Sequence, residues 1–232
     1  MSENIIYCYS GSGHCLSMAT SIAGVLGDTD IIMMRSFPEK TDATEAKRVG
    51  FVFPCYGGGL PGDVEEIVKS IKIRPGAYKF AVEQYAGYMG CGLHKIDEIV
   101  GLDYWTAISN HSTCIWLMPH TLSLAPRSPK AARERIERKA MEVGGAARTM
   151  MRSEKKPPKM GLFALESKAF AGMHPKHAKK FTVNGDCIGC LSCLQYCPKE
   201  AINMGRITEK RQRYPNPDVK AADLTEKIIH ID

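Results

Sequence analysis

Short apolar runs of strand length alternate along this chain with longer stretches whose apolar residues recur at helical spacing. Residues 5–10, IIYCYS, form the first run and break into Gly11-Ser12-Gly13. Leu16, Ala19, Ile22, Ala23 and Leu26 then recur at three- and four-residue intervals up to Gly27, which predicts one buried helix face closed by a glycine. A second apolar run spans Ile31–Met34. Val49–Tyr56, VGFVFPCY, is apolar almost without interruption, as a strand covered on both faces of a parallel sheet must be. It runs into Gly57-Gly58-Gly59-Leu60-Pro61, and Pro61 predicts the start of a helix whose inner face is Val64, Ile67, Val68 and Ile71. Residues 79–85, KFAVEQY, predict a fourth strand ending at Ala86-Gly87-Tyr88-Met89-Gly90, with a short helix marked by Leu93, Ile96 and Val100. Residues 112–118, STCIWLM, predict a fifth strand, followed by Pro119. Ser128-Pro129 reads as the cap and first turn of a long helix reaching Arg152, with Ile136, Ala140, Val143, Ala147 and Met150 inside and Gly144-Gly145 as a kink point.

Strands alternating with helices predict an open, mostly parallel sheet with helices on both faces. Ligands in such sheets sit at the carboxyl ends of the strands, and the glycine-containing loops after the first, third and fourth strands converge there. A strand, a glycine turn and a helix aim backbone N–H groups and a helix dipole at a phosphate, and Ser10 and Ser12 add hydroxyl donors. A plain β–α turn accounts for the same residues taken alone. S-G-S-G is neither the dinucleotide-binding G-x-G-x-x-G nor the Walker loop with its lysine, which sets NAD(P) and ATP aside.

Regular patterning dissolves over residues 153–180, which read as a linker whose His174 and His177 are solvated residues of a basic stretch. Beyond it, Cys187, Cys190, Cys193 and Cys197, with Pro198 next, have the C-x2-C-x2-C-x3-C-P spacing of a bacterial iron–sulfur half-module. Thiolates three residues apart on a tight turn reach one small cubane, whereas zinc sites pair two distant C-x2-C halves. In two-cluster ferredoxins the fourth cysteine of such a run ligates the other cluster. No second run exists here, and Cys8, Cys15, Cys55, Cys91 and Cys114 lie singly upstream. Three outcomes stay open: Cys197 closes its own cluster, a non-cysteine, distant or second-chain ligand holds the fourth iron, or a three-iron cluster forms. Ala201-Ile202 predict a small strand or turn, Pro215 and Pro217 stop regular structure, and residues 221–229 predict a short terminal helix. The expected division is therefore 1–152, a linker at 153–180, and a small module at 181–232.

At 232 residues the chain has room for one α/β domain and such a module. Nine cysteines, four of them in one metal motif, fit a reducing compartment better than a disulfide framework. With no signal segment and no apolar run approaching a span of about 18 residues, a cytoplasmic location is expected. The net charge is +6, and between Arg127 and Lys180 basic residues outnumber acidic ones by 15 to 5. That stripe is either a solvated face or a dock for an acidic protein partner; no nucleic-acid-binding signature accompanies it.

On YSGSGHC (Tyr9–Cys15), GFVFPCYGGGLP (Gly50–Pro61), Met118-Pro119, the cysteine run and KRQRYPNP (Lys210–Pro217), the chain resembles the flavodoxin–ferredoxin fusion family over nearly its full length. The resemblance implies an α/β, flavodoxin-like, doubly wound five-stranded parallel sheet with a C-terminal ferredoxin-like module. It implies FMN with its phosphate on Ser10, Gly11, Ser12, Gly13, His14 and Cys15. The flavin ring would lie between the loop of Cys55, Tyr56, Gly57, Gly58 and Gly59 and the loop of Ala86, Gly87 and Tyr88, with Tyr56 and Tyr88 as stacking candidates. It also implies a [4Fe-4S] cluster on Cys187, Cys190, Cys193 and Cys197. Where the family's phosphate loop ends in Asn-Thr, this chain has His14-Cys15: a thiol donates weakly, a protonated His14 would attract phosphate, and Cys15 at a helix start is placed to ionise and repel it. The family's second cysteine run is missing. The expected function is electron transfer between FMN, one [4Fe-4S] cluster and an acidic redox partner, with a homodimer as one possible assembly. A flavin-dependent small-molecule reductase and a flavin-free iron–sulfur sensor or interaction protein are the alternatives. No nucleophilic triad or paired carboxylates are present.

Overall fold

A computed structural model of the chain describes residues 2–35, 38, 40–110, 128–159, 190–199, 201–203, 206–209 and 211–232. The main sheet is built from β1 (Asn4–Cys8), β2 (Thr29–Met33), β4 (Arg48–Pro54), β6 (Tyr78–Tyr85), β7 (Tyr104–Ser109) and β8 (Ile228–Ile231). The helices are α1 (His14–Leu26), α2 (Val64–Ser70), α3 (Gly92–Val100) and α4 (Pro129–Arg148), with single turns α5 (Ser192–Gln195) and α6 (Arg206–Glu209) near the C-terminus. Two-residue strands β3 (Asp42–Ala43) and β5 (Lys72–Ile73) pair in parallel apart from the main sheet.

Strand order is β7-β6-β4-β1-β2-β8. β1 runs parallel to both neighbours, with Asn4 opposite Thr29 and Arg48, and β4–β6 and β6–β7 are parallel too. Taken in chain order, the five parallel strands lie 2-1-3-4-5, the flavodoxin-like doubly wound arrangement. The order reverses at β1, so the crevice between the carboxyl ends of β1 and β4 is where such sheets bind ligands. β8 adds an antiparallel edge strand on β2.

Side-chain alternation sorts the core into two layers. Ile6, Cys8, Val52, Phe80 and Val82 face α1 and α4. Ile5, Tyr7, Val49, Phe51 and Phe53 face α2 and α3. Each of these side chains is essentially removed from water, and burial of one such Phe or Ile stabilises the fold by about 1.5–3 kcal/mol. Ser128 caps α4, as the sequence predicts, its Oγ accepting from the Ala131 amide.

The structure differs from the sequence expectations in four places. A parallel strand, β7, forms at Tyr104–Ser109, a segment left unassigned in the sequence; residues 112–118 lie outside the described residues. α2 begins at Val64 rather than Pro61, whose carbonyl instead accepts from the Val64 amide in a preceding turn. α4 ends at Arg148, four residues before the expected Arg152. No terminal helix forms over 221–229: residues 221–225 turn, and Ile228–Ile231 pair with β2, as β-branched residues with a free sheet edge beside them favour. The described part of the expected C-terminal module is not set apart in space, since Val219 and Leu224 bury in the α1–α4 layer and β8 completes the sheet. Residues 160–180, with His174 and His177, and also Cys114, Met118, Pro119 and Cys187 lie outside the described residues. Among the described residues, no helix is long and apolar enough to cross a membrane.

Candidate functional site

The β1–α1 loop lies at the topological switch point and is buried, with Ser10 at 1%, Ser12 at 5%, His14 at 7% and Cys15 at 3% exposure. Gly13 takes a left-handed conformation at φ 85°, open to glycine, and starts α1 without a side-chain cap. Every carbonyl from Gly11 to His14 is engaged. Ser192 Oγ donates to Gly11 O at 2.6 Å. Tyr196 Oη and the Asn216 amide both donate to Ser12 O, at 3.0 and 2.8 Å. The Ser17 amide donates to Gly13 O, and Gln84 Nε2 to His14 O at 3.1 Å. Among the described residues, no acceptor meets the amides of Gly11, Ser12, Gly13 or Cys15. Engaged carbonyls, and amides with no described acceptor at the positive end of a 13-residue helix, are the kind of donor set an anion takes. That donor set fits an FMN phosphate.

Two expectations about this loop are corrected. Cys15 is not placed to ionise: burial, with Cys8 beside it, pushes its thiol well above the usual range, so it presents no negative charge to a phosphate. His14 does not offer its imidazole to the loop interior. Its Nε2 donates to Tyr214 O at 3.1 Å and its Nδ1 lies 3.4 Å from Asn216 Nδ2, so the ring is turned to the C-terminal segment.

The second and third loops meet beside the first. Tyr56 and Gly59 exchange two 3.0 Å backbone bonds around Gly57 and Gly58, both at positive φ (56° and 78°), which makes a tight turn only glycines enter easily. The Cys91 amide donates to Gly58 O at 2.9 Å, joining the 55–59 loop to the start of α3. Tyr56 packs edge-on to Tyr9, with ring centroids 5.9 Å apart, and its hydroxyl donates to Cys190 O at 3.4 Å. Ala86, Gly87 and Tyr88 are half-buried at the same strand edge.

Three residues that the sequence reading did not single out organise this edge. Glu83 is fully buried near the end of β6 and accepts from the amides of Gly90 (2.8 Å) and Leu93 (3.1 Å). Burial raises its pKa, while those two bonds work the other way. Burial, then the nearby Glu83 charge, pushes the Cys55 thiol up. Asn110 Nδ2 donates to Gln84 Oε1 at 2.7 Å, so a polar chain runs from the end of β7 through Gln84 to His14 O. The signal was present in KFAVEQY: two adjacent polar residues close a strand that is otherwise buried.

The cysteine run is described from Cys190 onward. Cys190 is buried; its Sγ accepts from Arg35 Nη2 at 3.2 Å and lies 3.3 Å from Ser192 Oγ. Cys193 is exposed. Amides of Ile202, Lys199 and Ala201, together with the Arg213 cation, lower the Cys197 pKa and favour its thiolate. Among the described residues, no three His, Cys, Asp or Glu side chains gather as a metal-binding group.

No family model matches the sequence, and no curated protein matches it. Among solved structures the chain is similar to rubredoxin oxygen:oxidoreductase from the anaerobe Desulfovibrio gigas (14% identity, TM-score 0.42), covering 64% of this chain and only 37% of that one. It is also similar to two-electron reduced Megasphaera elsdenii flavodoxin (16%, TM-score 0.40), covering 59% of this chain and 98% of that one. A third is a flavoprotein in complex with FMN from Lactobacillus acidophilus (15%, TM-score 0.36), covering 47% and 93%. At this distance the likenesses carry no information about activity.

Proposed function

We propose that the protein is an electron carrier that holds FMN at the switch point of its flavodoxin-like sheet. The observation that carries this is the β1–α1 loop, where the carbonyls of Gly11 to His14 are all engaged, those of Gly11, Ser12 and His14 by distant residues, while the amides of Gly11, Ser12, Gly13 and Cys15 meet no described acceptor. Those amides would hold the phosphate, and the loops at 55–59 and 86–90, with Tyr56 and Tyr88, would flank the ring. Bound FMN supplies one- and two-electron redox chemistry; the chain positions it and excludes water. A fluorescence titration of the purified chain with FMN tests this. Saturable quenching at about one FMN per chain supports it, and no saturable binding contradicts it.

The spacing of Cys187, Cys190, Cys193 and Cys197 supports a [4Fe-4S] cluster as a second centre. Its assembly would close the 187–197 segment around the metal, as ligation commonly drives local folding. The hydrogen bond from Tyr56 to Cys190 O puts that segment against the flavin loops, which favours a two-centre carrier over a free-standing cluster protein. The basic stretch Arg127–Lys180 would dock an acidic redox partner. Raising salt from about 0.05 to about 0.5 M should then slow reduction by an acidic donor protein severalfold; an unchanged rate would remove the docking claim.

A further inference from the structure

We propose that the C-terminal segment is a working part of the anion loop, with Ser192 and Tyr196 as positioning residues that set FMN affinity through its phosphate. The inference rests on the flavin reading above and assigns the selectivity of that site to residues some 180 positions away in sequence.

A trans peptide is planar, so the carbonyl of one residue and the amide of the next point in opposite directions. Holding Gly11 O outward therefore turns the Ser12 amide inward, and holding Ser12 O outward does the same for Gly13. Ser192 Oγ holds the first at 2.6 Å; Tyr196 Oη and the Asn216 amide hold the second at 3.0 and 2.8 Å. Gln84 Nε2, on His14 O, completes the set from beneath and turns the Cys15 amide. Both loop glycines are explained by this close approach. A Cβ at Gly11 would lie 2.2 Å from Cys190 O, and one at Gly13 would lie 2.3 Å from Tyr196 Oη. His14 fastens the same segment from the other side through Tyr214 O and Asn216. Tyr196 is well enough buried that its hydroxyl pKa is raised to about 12, so it stays a donor across the physiological range.

The test compares FMN with riboflavin, which has the same ring and no phosphate. Tyr196→Phe and Ser192→Ala each remove one hydroxyl donor while leaving the backbone bond from Asn216. Each should weaken FMN binding about fivefold, and the pair together by more than tenfold, as expected for one and two hydrogen bonds. Riboflavin affinity should not change, and Ser192→Thr, which keeps the hydroxyl, should restore wild-type FMN binding. Circular dichroism melts confirm that each variant is folded. Equal losses for FMN and riboflavin, or no loss for either, would overturn the positioning role and leave the flavin reading standing. Absence of saturable FMN binding by the wild-type chain would overturn both.

Discussion

Glu83 is the residue on which the strand edge most depends, because among the described residues it is the one carboxylate that is fully buried and held by main-chain amides. Glu83→Leu would leave the amides of Gly90 and Leu93 without their acceptor in dry surroundings. We expect a loss of about 2 kcal/mol, read as a lower urea midpoint with unchanged slope. A midpoint equal to wild type would show that water or a neighbour replaces the carboxylate. Glu83→Gln keeps one acceptor oxygen and should fall between the two. The residue scale is also where the sequence was least legible. S-G-S-G is open to a phosphate-type loop or a plain β–α turn, and in the structure the amides of Gly11, Ser12, Gly13 and Cys15 meet no acceptor among the described residues. Nothing local, however, indicated that Ser192, Tyr196 and Asn216 would engage its carbonyls, since partners so far apart in sequence leave no periodic trace. Cys15 shows the converse: its place at a helix start suggested a thiolate, but burial decides its charge, and burial is a property of the packed chain.

At the scale of elements, α1 and α4 meet where Gly144 faces Val25, and a Cβ there would sit 2.5 Å from Val25 Cγ1. Gly144 therefore serves close helix packing. Gly144→Val should destabilise the fold by about 1–3 kcal/mol through overpacking, whereas the neighbouring Gly145→Ala, with open space at its Cβ, should be neutral or slightly stabilising. Thermal melts of the two variants separate these outcomes. β8 is held to β2 partly by His230, whose Nδ1 donates to Asp30 Oδ1 at 2.8 Å. Burial of Asp30 opposes its ionisation, but bonds from Lys40 and His230 outweigh this and hold its pKa down to about 2. The same bond to Asp30 raises the His230 pKa. Its contribution is thus fully present below the ordinary imidazole value of about 6.5 and is lost as pH rises through the raised one; Asp30 gives way only on acidification toward about 2. Hydrogen exchange at the β2–β8 amides, corrected for intrinsic rates, should loosen as pH rises above about 6.5 in the wild type and show no such transition in His230→Gln. An identical pH profile in both would rule His230 out. Long elements with strong periodicity, such as α1 and β4, were legible beforehand. β7 was not, because YWTAIS is half-exposed and lacks the continuous apolar run of a central strand.

At the scale of the molecule, strand alternation and strand order give a flavodoxin-like sheet, and the glycine loops gather at the switch point as the sequence predicts. What sequence could not anticipate is that the C-terminal residues return to this sheet: β8 closes its edge, Val219 and Leu224 fill its helical layer, and α5 rests on the β1–α1 loop. This arrangement places Cys190 against the 55–59 loop, through the hydrogen bond from Tyr56. It predicts that the two proposed centres belong to one folded unit. The most direct test is to assay FMN, iron and acid-labile sulfide on a single anaerobic preparation of the full chain. About one FMN with about four irons and four sulfides per chain is the predicted result, and about three irons would mean that the fourth ligand is missing. Iron without any flavin, even after incubation with FMN, would contradict the account, because the amides of Gly11, Ser12, Gly13 and Cys15, which meet no acceptor among the described residues, would then have no phosphate to serve.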